Sequence, residues 1–174
     1  MRKLRVALAL IIAISCAAAL AAQLPVQKLL PASGFKGWTL VADSYAYGKE
    51  QGLTEIYDGG YKEYLDAGVI EAAKQTYQRK KAFADVIVHR MKSEASAKAF
   101  YAKQFKMAGK EAKPVPRPWT GFTWTTGGSV YGFLISGSCY ITTTLTSKDA
   151  TGAVALMQDV GGKIKGVKPS SKTR

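Results

Sequence analysis

The chain is poor in the residues that most enzyme centres need. It holds one histidine, His89, and two cysteines, Cys16 and Cys139. One imidazole and one or two thiols cannot supply a four-ligand zinc site of the usual kind, and no Asp-rich loop of calcium type occurs. A His-based triad or dyad needs a positioned nucleophile and an orienting acid. No nucleophile-elbow pattern surrounds any serine. His89 sits in "ADVIVHRM", an apolar strand-like run where a hydrogen-bonded structural imidazole is the expectation. A carboxylate pair for glycoside hydrolysis would have to come from residues such as Glu55, Asp58, Glu63 and Asp66, whose spacing marks solvated helix positions and end caps. The sequence therefore predicts no enzyme, no cofactor and no metal.

Acidic residues are also scarce, 12 against 25 lysines and arginines. Long apolar runs are limited to the start, "MRKLRVALALIIAISCAAALAAQ", where Arg2, Lys3 and Arg5 precede a hydrophobic stretch that ends in small residues. This is the layout of a bacterial export signal, and Ala19-Leu20-Ala21 provides the small-x-small pattern for cleavage after Ala21. Two alternatives stand beside it. Cys16 could carry a lipid, although Ala13 occupies the lipobox position that favours Leu or Val. The run from Val6 to Ala22 could also stay as an anchor, since it approaches the roughly 20 residues of a membrane span. The expected organisation is a signal peptide over 1–21, one domain over 22–166 and a basic disordered tail over 167–174. The expected location is the periplasm or the exterior.

After cleavage only Cys139 remains, so no intrachain disulfide can form, and its apolar surroundings predict a buried thiol. Loss of Arg2, Lys3 and Arg5 leaves 22 basic against 12 acidic residues, a net charge of +10. That balance favours acidic partners, an envelope component or an acidic protein. Its dispersal along the chain argues against a specific nucleic-acid site.

Periodicity predicts an α+β domain: an antiparallel sheet of five or six strands with three helices packed mainly on one face. "GFKGWTLVADSYAY" reads as a first strand with Trp38, Leu40 and Ala42 on one side. "IYDGGYKEYLDAG" reads as a helix with Gly59 and Gly60 inside its stripe, tolerated through close packing, and Gly68 after its end. An anion-cradling loop would instead place those glycines at a helix start directly after a strand. "VIEAAKQTYQRKKAFADVIVHRM" splits into two strands about Arg79, Lys80 and Lys81, with Val69, Ala73 and Tyr77 on one face. Ser93 caps the next helix, which carries Ala97, Phe100, Tyr101 and Phe105 and stops at Gly109. "KEAKPVPRPW" is a stiff extended linker. "GFTWT", "VYGFLI" and "CYITTTLT" form a meander on Gly- and Ser-rich turns, with Thr142, Thr144 and Thr146 facing water. A final amphipathic helix, capped by Ser147 or Asp149, runs from Ala150 through Met157 and Val160 to Ile164 and is interrupted near its end by Gly161-Gly162.

Two sets of residues are candidates for binding. The basic turn Arg79, Lys80 and Lys81 could contact an anion. Tyr57, Tyr61, Tyr64 and Tyr77 could line a pocket, because tyrosine joins a broad apolar face to a polar tip. The segments "LLPASGFKGW", "LTEIYDGGYKEYLDAGV" and "FADVIVHRMKSEASAKAFYAKQ" together resemble a family of bacterial exported proteins known as a domain of unknown function. The resemblance spans roughly residues 29 to 145. It implies a helical reading of Asp58-Gly59-Gly60 and carries no catalytic or ligand residues. The expected function is a non-catalytic binding or interaction module of the cell envelope whose basic surface engages an acidic partner. The alternative is a small-molecule carrier or sensor with a tyrosine-lined pocket between sheet and helices.

Overall fold

A computed structural model of the chain describes residues 25–165. The signal, Cys16 and the basic tail lie outside these residues. The fold is α+β, built on one open antiparallel sheet of eight strands.

Two long strands, β3 (Val69–Arg79) and β4 (Ala82–Met91), form the hairpin expected about the basic turn. Lys80 takes the left-handed conformation (φ 57°) that closes it. The predicted first strand divides in two, because only short pieces pair with β3: β1 (Thr39–Leu40) and β2 (Ala46–Lys49) lie end to end along the same edge. The proline-rich linker contributes β5 (Lys113–Pro114), and its Arg117–Pro118 peptide is cis. These three short segments raise the strand number above the five or six expected. The meander appears as β6 (Thr120–Thr126), β7 (Ser129–Ser136) and β8 (Cys139–Leu145). The strand order is β1-β3-β4-β8-β7-β6-β5, with β2 also paired to β3. Ile141, Thr143 and Leu145 are buried, and Thr142, Thr144 and Thr146 are not.

Helices cover both sheet faces, not mainly one. The short α1 (Val26–Leu29) and the C-terminal α4 (Ala150–Lys165) pack against Ala73, Tyr77, Val86, Val88, Leu134 and Ile141. The side chains between those positions point the other way, as the two-residue period of a strand requires. There Ala72, Met91 and Tyr140 meet a 3-10 helix (Glu50–Glu55), the short α2 (Tyr61–Asp66) and α3 (Glu94–Ala108). Cys139 is buried as expected, on the α4 side. Val69 does not share a face with Ala73 and Tyr77, because an irregularity between Val69 and Glu71 shifts the register and turns Val69 toward the α3 side.

Local signals at the helix ends hold. Ser93 Oγ accepts from the Ser96 amide at 3.1 Å, and Gly109 ends α3 with φ 57°. Asp149 Oδ1 accepts from the Gly152 amide at 2.9 Å. The glycine pair at 59–60 departs from expectation. It breaks the apolar stripe into the 3-10 helix and α2, with φ of 96° at Gly59 and 71° at Gly60. A Cβ on either glycine would meet nothing within 4 Å. Backbone freedom, not close packing, is what these glycines supply. Close packing occurs instead at Gly161, where a Cβ would stand 2.7 Å from the Trp119 ring, and α4 continues through Gly161-Gly162 without interruption.

Candidate functional site

The β3–β4 turn gathers charge from three parts of the chain. Arg79, at the end of β3, is an ion-pair partner of Asp149 in the cap of α4, and its guanidinium lies 4.5 Å from the Trp38 ring centre. The stacking and the pairing together fix the arginine, which stays about a third exposed. Lys80 and Lys81, on the turn itself, are exposed and make no ion pair among the described residues. Arg79, Lys80, Lys81, Ala82, Ser147 and Asp149 line a shallow depression of about 550 Å³. On its other side, Arg79 and Asp149 border a second hollow of about 240 Å³ with Phe35, Lys36 and Trp38. The structure therefore keeps the three predicted basic residues together but divides their roles. Arg79 is structural in its contacts, and the two lysines present free charge on the frame that it stiffens. Lys36 joins them at this end of the sheet, which turn reading could not foresee because it comes from a distant segment.

The tyrosine set does not stay together. Tyr77 lies on the α4 side of the sheet, where its hydroxyl donates to the Pro31 carbonyl at 3.0 Å. Tyr57, Tyr61 and Tyr64 lie on the α3 side. Tyr57 and Tyr64 stack with ring centres 4.0 Å apart, and Tyr64 lies parallel to the His89 imidazole at 5.6 Å. Phe100 meets both Tyr64 and Tyr140 edge-on. The rings fill the space between sheet and helices against one another.

His89 is at the centre of this stack and only 1% exposed. Its Nδ1 lies 2.9 Å from the Tyr140 carbonyl, which can only accept, so Nδ1 carries the proton and donates. Nε2 is then the acceptor for the Tyr57 hydroxyl. Burial holds the imidazole down to about 4, against the opposing pull of the Tyr140 carbonyl. Burial also raises Tyr57, Tyr64 and Tyr140 above the ordinary phenol range. The histidine is thus a neutral imidazole with both nitrogens engaged. The Tyr140 hydroxyl has no hydrogen-bond partner among the described residues.

A second polar centre escaped sequence reading. Glu71 on β3 accepts from Arg90 Nε on β4 at 2.7 Å and from the Tyr47 hydroxyl on β2 at 2.9 Å. Lys49 approaches the same carboxylate at 3.8 Å. Burial pushes the Glu71 carboxyl up, yet the bonds from Arg90 and Tyr47 and the charges of Arg90 and Lys49 outweigh it and leave it below the usual range. A tight two-residue turn at Lys80-Lys81 places Glu71 opposite Arg90, so the register of the hairpin was the signal that could have found this pair. Its contacts cross-link three strands.

Among the described residues no group of three or more His, Cys, Asp or Glu is placed to hold a metal ion, and no helix is long and apolar enough to cross a membrane. Comparison with protein-family models finds no match, and no curated protein matches the chain.

Proposed function

We propose that the protein is an exported, non-catalytic binding module of the bacterial cell envelope, and that the basic end of its sheet engages an acidic envelope component. The observation that carries this reading is the pair Lys80 and Lys81, exposed and without an ion pair among the described residues, on a turn that Arg79, Trp38 and Asp149 stiffen. Charges on a fixed frame lose little freedom when they meet a polyanion, so more of the attraction is retained as affinity. The net charge of the chain without Arg2, Lys3 and Arg5, +10, adds long-range steering toward the same class of partner. Support for the non-catalytic part comes from His89, whose two nitrogens are committed inside a closed ring stack. The carrier alternative gains no support from Tyr57 and Tyr64, because their rings occupy the room a ligand would need.

The test is retention on immobilised heparin and co-sedimentation with vesicles containing phosphatidylglycerol, each over a salt series. The module binds at least one of these at low ionic strength and releases it steeply as salt rises. Lys80→Ala with Lys81→Ala weakens that binding by about 1 kcal/mol per lysine. No association with either probe at low salt means that the charge serves solubility alone.

A further inference from the structure

Among the described residues, the sheet face beneath α3 is covered at one end only. α3 lies over it through Phe100, against Tyr140, and through Phe105, against Phe122. Nearer the β3–β4 turn, the same face continues as a transverse row in which each residue is the register partner of the next: Thr76, Asp85, Thr144, Tyr131 and Trp124. All five are half-exposed. With strands about 4.8 Å apart, the row is about 19 Å long.

Its chemistry changes along its length. At the β6–β7 end, Trp124 and Tyr131 form a tilted pair with ring centres 5.7 Å apart. Cross-strand pairing explains that contact. It does not explain why both rings stay partly open to solvent beside a run of hydroxyls and a carboxylate. At the β3 end, Thr76 donates to Asp85 Oδ1 at 2.6 Å, and Lys74 meets Asp85 Oδ2 at 3.2 Å. The carboxylate is therefore neutralised in place, and the row offers hydrogen-bonding groups without a free charge. Thr142 and Thr144, on the central strand β8, add hydroxyls between the two ends.

We propose that this half-face binds a neutral glycan chain laid across the strands. Sugar rings present C–H faces that pack on aromatic rings and hydroxyl edges that hydrogen-bond to threonine and carboxylate oxygens. A row that is aromatic at one end and hydroxyl-rich at the other suits that mixed surface along several consecutive sugar units. A protein partner would call for a contiguous apolar centre with a polar rim, whereas this row carries its rings at one end. A polyanion would find no free positive charge in the row, because Lys74 is already paired with Asp85. The site is separate from the lysines of the basic turn and does not depend on them.

The experiment is isothermal titration calorimetry of the protein with cellohexaose and chitohexaose, at low and at high salt. At least one sugar binds saturably, with an affinity that salt leaves nearly unchanged; loss of polyanion binding in the same salt series identifies that reading separately. Trp124→Ala and Tyr131→Ala each weaken sugar binding by about tenfold or more. Trp124→Phe, which keeps a ring, holds it within a few-fold, and Lys80→Ala with Lys81→Ala leaves it unchanged. Thr144→Val removes only a hydroxyl from the platform and weakens binding in a fold that circular dichroism finds intact. The proposal is overturned by the absence of binding to both sugars at millimolar concentration. It is equally overturned by affinity that survives Trp124→Ala, Tyr131→Ala and Thr144→Val.

Discussion

Asp149 joins the hairpin to the last helix: one carboxylate oxygen accepts from the Arg79 guanidinium, and the other accepts from the amide of Gly152 in the first turn of α4. The two contacts are separable by substitution. Asp149→Asn keeps an oxygen for the cap and discharges the ion pair, whereas Asp149→Ala removes both. A lost cap costs about 1 kcal/mol, and a pair exposed by roughly a third on each side contributes less than that. Urea denaturation should place the alanine variant about 1–2 kcal/mol below the parent and the asparagine variant within about 1 kcal/mol. Equal losses would mean that the capping oxygen contributes nothing.

The buried imidazole sets a pH window. His89 titrates at about 4 in the fold, against 6.5 for the free side chain. Its surroundings are the Tyr57 hydroxyl, the Tyr140 carbonyl and the rings of Tyr64 and Tyr140, with no carboxylate hydrogen-bonded to it. Above the unfolded value both states are neutral and the group has no pH effect. As the pH falls from 6.5 toward 4 the unfolded chain takes up a proton that the fold refuses, so stability drops, by on the order of 3 kcal/mol once both values are passed. Glu71 adds its loss at lower pH, since its depressed carboxyl stays ionised in the fold until the medium is more acidic than the usual carboxylate range. Chemical denaturation from pH 8 to pH 4 should therefore show a decline beginning near 6.5 in the parent. His89→Gln, destabilised overall, should be flat until the carboxylates begin to titrate. A decline of the same size in that variant would assign the window to other groups.

How much of this was legible in the sequence depended on whether the signal was local. The Ser93 cap, the α4 stripe, the alternation of Ile141 to Thr146 and the hairpin about Lys80-Lys81 each follow from neighbours a few residues apart, and all four stand in the fold. Edge pairing was not legible. Nothing near Lys113 announces that it will pair with Thr123, and Trp38, Leu40 and Ala42 alternate as a strand although β1 stops at Leu40. The site fared in the same way. The turn lysines could be found from their run of charge, whereas Lys36, Asp149 and Trp38 reach Arg79 only through the tertiary fold. The row from Thr76 to Trp124 needs four strand registers at once, which no single stretch of sequence contains.

The two glycine pairs offer a direct check on which glycines serve conformation and which serve space. Gly60 holds φ at 71° with open room around it, so a side chain there is opposed by backbone strain alone. Gly60→Ala should cost about 1 kcal/mol, and Gly60→Asn less than half as much, because asparagine tolerates the left-handed region. Gly161 reverses the argument. Its backbone is helical, where alanine is preferred by about 1 kcal/mol, but the added Cβ would press on Trp119 at 2.7 Å and on Leu134 at 3.2 Å. Overpacking of this kind costs about 1–3 kcal/mol, so Gly161→Ala should be neutral to destabilising by up to about 2 kcal/mol. Trp119→Leu, made in the same chain, should remove the obstacle and let the helical preference of alanine emerge as a gain. Thermal melts of the four variants and the Gly161→Ala/Trp119→Leu double variant decide the matter. If Gly161→Ala stabilises with Trp119 in place, the ring yields freely and the close approach does not explain the glycine. If Gly60→Asn is as harmful as Gly60→Ala, the turn requires the missing Cβ itself and not the positive φ.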